Sequence, residues 1–113
     1  MNVSFNGIGE KLVTFVSDKA EKGQVVKVSA EGTVAPCADG ETFDGVAMLA
    51  DDGYAGVLLR GFADVVYSGG DPAVGHNKLS ANGSGGVRID DGKGKDYLTV
   101  AVDALNHVAT ILM

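Results

Sequence analysis

Apolar and polar side chains alternate along most of this chain, with the period of two that marks half-buried strands rather than helices. Over 11–16 the alternation sets Leu12, Thr14 and Val16 opposite Lys11, Val13 and Phe15. A second strand is expected over 24–29, after Gly23, with Val26 and Val28 on one face. A third spans 42–49 and a fourth 54–60, joined through Asp51-Asp52-Gly53. Asp-Gly between two such runs predicts a tight hairpin, because both residues tolerate the positive φ that a type I′ turn demands. Gly61 permits a bend, after which 62–67 sets Phe62, Asp64 and Val66 against Ala63, Val65 and Tyr67. Shorter strands are expected over 78–81 and 86–90, closed by Asn82-Gly83 and Asp91-Gly92. The clearest alternation is the last: Leu98, Val100 and Val102 oppose Tyr97, Thr99 and Ala101, and 108–112 finishes the chain.

Helical spacing is weak. Ser17 could cap one turn within 16–22 before Gly23 stops it, and 103–107 could hold another. Eight to ten short strands at regular spacing predict an all-β domain over 1–113, with at most one or two short helical turns. A small closed or nearly closed β-barrel would hide the edges that so many short strands expose; a compact β-sandwich or β-clip-like fold is the alternative. Residues 1–9 are the first strand or an extended N-terminal arm. No internal repeat is apparent in the sequence.

Composition sharpens this picture. Seventeen of the 113 residues are glycine, about twice the usual share of roughly 7%, without the G-X-Y period of collagen. Such a chain turns often. Fifteen acidic against nine basic side chains give a formal net charge of −6, which repels a phosphate backbone and makes nucleic acid an unfavourable partner. A single cysteine, Cys37, allows no intrachain disulfide. No basic segment precedes an apolar run at the N-terminus, and no apolar run approaches bilayer length, so neither a signal peptide nor a membrane span is expected.

The candidate chemistry is sparse. His76 and His107 stand outside any motif with serine or cysteine, and Ser84 has Asn82 where a nucleophile elbow needs glycine. One cysteine and two separated histidines do not make a zinc cluster, and the aspartates lack the spacing of a calcium loop, so no metal and no cofactor are expected. A P-loop requires glycine, four residues, then Gly-Lys-Ser/Thr. Gly92-Lys93-Gly94 and Gly94-Lys95-Asp96 fail at both ends of that pattern, with Val87 and Ile89 at the first position. Gly83-Ser84-Gly85 has Arg88 where a dinucleotide fingerprint needs its third glycine. Cys37 follows Pro36 without a basic neighbour, as a buried, inert thiol would. Arg60 and Tyr67 are of the types favoured at interface centres, and Phe5 and Ile8 are apolar positions among flexible neighbours. These four are the candidate contact residues, and no catalytic residue is expected.

A set of segments carries a resemblance. They are Gly23-Gln24-Val25-Val26-Lys27-Val28, Gly32-Thr33-Val34-Ala35, Cys37-Ala38-Asp39-Gly40, Phe43-Asp44-Gly45-Val46-Ala47, and Asp52-Gly53-Tyr54-Ala55. Further on come Tyr67-Ser68-Gly69, Pro72-Ala73-Val74-Gly75, Leu79-Ser80-Ala81, Gly85-Gly86-Val87 and Tyr97-Leu98-Thr99-Val100-Ala101-Val102-Asp103. In this order and spacing, over nearly the whole chain, they resemble the capsid cement, or head-decoration, proteins of tailed phages and of prophages in gut Firmicutes. That group is sometimes mislabelled as phage recombinase, a role the failed P-loop pattern opposes. The resemblance implies a structural virion protein that is not an enzyme. It would bind the outer capsid surface, with the major capsid protein as partner and self-association as a trimer. It would be located on the virion, and in the host cytoplasm before assembly. A ligand- or carbohydrate-binding β-barrel on the virion is the alternative function.

Overall fold

The computed structural model describes residues 10–17 and 19–113. Ten strands follow in order: β1 Lys11–Val16, β2 Val25–Ala30, β3 Thr33–Pro36, β4 Gly45–Asp51, β5 Tyr54–Arg60, β6 Phe62–Val66, β7 Gly75–Ala81, β8 Val87–Ile89, β9 Lys95–Asp103 and β10 Val108–Leu112. The protein is all-β, and no described residue is helical. Among the described residues of the segments where helical turns were conceivable, the chain only turns. Ser17 Oγ accepts from the Ala20 amide at 3.1 Å, but no helix follows. Asp103 likewise accepts from the Asn106 amide across a turn that ends at His107, φ 55.

The first five strands close into a barrel in the order β1-β3-β2-β4-β5. Closure comes from β1, which runs antiparallel to β5 and meets β3 in parallel at Val16↔Thr33, where the Val16 amide donates to Gly32 O at 2.9 Å. The β4–β5 hairpin turns at Asp52 and Gly53, φ 35 and 84, as the Asp-Gly pair predicts. The last five strands form a second sheet in the order β6-β10-β9-β7-β8. Its outer strands meet at one end, through a parallel bridge Tyr67↔Val87 and a Ser68 amide donating to Val87 O at 3.0 Å.

The two halves repeat one another in topology, which the sequence does not reveal. Adding five to each strand number converts every pairing of the first half into one of the second: β1·β5 into β6·β10, β4·β5 into β9·β10, β2·β4 into β7·β9, and β2·β3 into β7·β8. The closing parallel contact recurs as well. Even the β-bulge is repeated: Met48 is the extra residue where Ala47 and Leu49 face Val57 and Gly56, and Val100 is the extra one where Thr99 and Ala101 face Ile111 and Thr110. Only Gly61, φ 125, lies between the last strand of one half and the first of the next.

Alternation explains how the halves join. Val26, Ala47 and Val57 point into the first barrel with Val34 and Ala55, against Phe15. Their neighbours Val25, Val46 and Leu58 point outward, and join Cys37 and Phe43 in a second cluster with Ala63, Val65, Tyr67, Leu79, Ala81, Val87, Tyr97, Ala109 and Ile111. The second sheet therefore fills its concave side with the outer wall of the first barrel. Phe43 turns out of the strand expected from residue 42, because its ring stacks on Tyr97 with centroids 4.7 Å apart and planes 7° from parallel. Tyr97 Oη donates to the Phe43 carbonyl at 3.2 Å.

Phe43→Ala should therefore destabilise the protein by about 3–5 kcal/mol, read as a lower urea midpoint at unchanged slope. Gly86→Ala should cost at least about 1–3 kcal/mol, because a Cβ there overlaps the Val66 carbonyl oxygen where β8 meets β6.

Candidate interaction surface

Residues of β1, β5 and β4 that point away from the barrel form one continuous face. The register aligns Leu12 with Leu58, Thr14 with Gly56, and Val16 with Tyr54 across β1 and β5. Across β5 and β4 it aligns Leu58 with Val46, Gly56 with Leu49, and Tyr54 with Asp51. At the Val46–Leu58 end this face is covered by the second half. The cover reaches neither β1 nor the other end of β4 and β5, leaving Leu12 54%, Val16 46%, Leu49 66% and Tyr54 59% exposed. The Leu49 side chain lies across Gly56, where an added Cβ would meet Leu49 Cβ at 3.6 Å. With no side chain at Gly56 to flank them, Leu49 and Tyr54 stand as a ridge.

The repeat places the same backbone surface on β6, β10 and β9, with different relief. Ala101 stands where Leu49 stands in the first half, Val108 where Tyr54 stands, and Thr110 where Gly56 stands. The small alanine, and Thr110 tied by its hydroxyl to Asp64, leave a groove of about 490 Å³. Asp64, Ala101, Val102, Asp103, Ala104, Val108 and Thr110 line it. Exposed Val66 and Leu112 lie on the same face, and Leu105 projects from the adjoining turn. Of the nine exposed large apolar side chains among the described residues, four therefore lie on the first face and three on or beside the second. These two faces carry most of the exposed large apolar side chains among the described residues.

The expected contact residues divide. Arg60 is exposed at the end of β5, next to the first face. Tyr67 is buried at 2% exposure, with Oη donating to Asp71 at 2.6 Å and its ring 5.4 Å from His107, so it supports the core instead of meeting a partner. That hydrogen bond, with burial, pushes its hydroxyl up to about 12. Phe5 and Ile8, with the whole 1–9 segment, lie outside the described residues. The exposure of Leu49, Leu12 and Tyr54 was not legible in the sequence, because alternation says which face a residue is on, not whether that face is covered. Of the three tyrosines only Tyr54 is exposed, which leaves sugar stacking a single platform among them.

The polar groups are used to join segments. Arg88 Nε pairs with Asp39 at 2.9 Å, and Asp90 accepts from Ser80 Oγ at 3.0 Å and from the Lys93 amide at 3.0 Å. Lys27 Nζ meets Glu41 at 2.6 Å, while the Ala38 amide donates to the other oxygen of Glu41 at 2.6 Å. Together these hold the loop between β3 and β4 against β8 and β2. The Lys93 amide, Ser80 and Arg88 hold the Asp90 carboxyl below its ordinary range. His76 faces Asp96 at 3.3 Å, both exposed on the surface. Among the described residues no three His, Cys, Asp or Glu side chains converge to hold a metal ion. Cys37 is buried in the shared core, and burial pushes its thiol up to about 11.

The fold defines a class: an all-β protein in which a closed five-stranded barrel and a second sheet share one core, with two apolar faces outside. No protein-family model matches the chain, and neither does any curated protein sequence.

Two outcomes follow for the buried and networked groups. Native protein at pH 8 should react with a disulfide reagent at Cys37 only at the rate of unfolding, and a rapid native reaction would contradict the burial. The depressed carboxyl of Asp90 contributes stability that is present above its ordinary value of 3.8 and lost as the pH falls through its lower folded value. Asp90→Asn should therefore lower the melting temperature at pH 7 and flatten its fall between pH 5 and pH 2.

Proposed function

We propose that this protein is a structural virion component. It binds the outer surface of a phage capsid and holds neighbouring major-capsid subunits together, with copies associating with one another at the shell's local threefold positions. The observation that carries this reading is where the apolar surface lies. The barrel interior is filled by Phe15, Val26, Val34, Ala47, Ala55 and Val57, while large apolar side chains stand outside, on sheet faces. A rigid scaffold with a working exterior suits lattice binding, in which rigid faces lose little conformational freedom on docking. The ordered series of segments resembling head-decoration proteins supplies the partner, the major capsid protein. A net charge of −6 suits a protein that accumulates soluble in the host cytoplasm until shells expand. Binding only the expanded shell would add its free energy to particle stability by mass action.

Decoration-free expanded heads, mixed with the purified protein and pelleted, should carry it down in saturable amounts and resist heat better than bare heads. Failure to bind heads of the phage or prophage that encodes it would overturn the reading. Deletion of residues 1–9 divides the candidate surfaces: loss of co-pelleting at an unchanged circular dichroism spectrum assigns capsid attachment to that segment. Full binding after that deletion would leave capsid attachment to the described faces and exclude the arm.

A further inference from the structure

We propose that the two repeated faces are halves of one self-association contact, in which the Leu49–Tyr54 ridge of one copy enters the β6-β10-β9 groove of the next. Four observations support this partner over others. Barrel closure removes the edges of the first half, so the copy that offers the ridge cannot extend a sheet from that half and meets its neighbour through a face. Seven of the nine exposed large apolar side chains lie on or beside these two faces, one raised and the other hollow. The hollow exists because Ala101 replaces the bulk that Leu49 supplies at the same repeat position, which leaves space of the kind an inserted leucine would fill.

The chemistry of the two surfaces also matches. Tyr54 presents an apolar ring with one hydroxyl donor, and the groove is walled by alanine and valine with the carboxylates of Asp64 and Asp103 as acceptors. Asp103 is held as an acceptor by Asn106, whose side chain donates to it at 2.8 Å and lowers its proton affinity. Ridge and groove are different patches of one chain, so the contact is heterologous. It closes into a ring where the rotation allows, and a threefold ring is one such closure. The contact rests on the association of copies proposed above but not on the capsid as partner, because it is tested between copies in solution.

The test uses the full chain and two variants, Leu49→Asp to break the ridge and Ala101→Arg to fill the groove. Sedimentation velocity of the parent over a wide concentration range should show self-association, and each variant alone should associate at least about thirtyfold more weakly. Mixed in equal amounts, the variants retain one intact ridge and one intact groove between them. They should form a heterodimer and nothing larger. A parent that stays monomeric throughout, variants that assemble as the parent does, or a mixture that stays monomeric would each overturn the proposal. Circular dichroism checks the fold, and Tyr54→Lys with Ala104→Arg provides a second pair should either first variant misfold. Head binding by a protein that never self-associates would sink this contact, and the association of copies with it, while leaving capsid binding intact.

Discussion

The structure depends on one shared core. The second sheet cannot bury its concave side by itself, and the first barrel cannot leave Val25, Val46 and Leu58 in water; each solves the other's problem. Phe43 and Tyr97 fix the junction, since a stacked pair with a buried hydroxyl-to-carbonyl bond sets both the separation and the orientation of the halves. The ion pairs around Glu41, Asp39 and Arg88 close the loop over that junction from the solvent side. Strands of the first half are consequently buried on both faces where they meet the second, and on one face where they do not.

That asymmetry determines what the outside of the molecule can do. Where the second half ends, the outward face of β1, β5 and β4 emerges from cover with its apolar character intact. Leu49 and Tyr54 are exposed by the geometry of the packing, on a surface whose other end is core. The repeated face on the second half follows the same backbone course, including the bulge, yet carries Ala101 and an Asp64–Thr110 pair. Two halves with one pairing pattern thus carry opposite relief on equivalent faces.

The repeat itself was illegible in the sequence for a physical reason. Residue equivalences run at an offset of 50 between Val16 and Val66, 52 between Asp51 and Asp103, and 54 between Tyr54 and Val108. Loops of unequal length destroy any fixed period, while the pairing pattern, fixed by hydrogen bonds, survives. Strand β3 was equally hard to see: four residues ending in Pro36 are too few to establish a period. The extension of β7 to Gly75 has no apolar signal either, and rests on pairing with β9 and on Asn77 donating to Thr99 Oγ1 at 3.1 Å.

By itself the sequence determined the fold class, the bounds of β1, β5 and β10, the Asp52-Gly53 turn, and which side chains share a face. These follow from short-range rules: the two-residue period of a strand and the backbone freedom of Asp and Gly. Tertiary structure decided that the barrel closes, that the chain is folded as two equivalent halves, and that Tyr67 is buried while Leu49 and Tyr54 are not. Alternation assigns a residue to one side of a sheet, but water reaches that side or is excluded from it according to what another, distant segment covers.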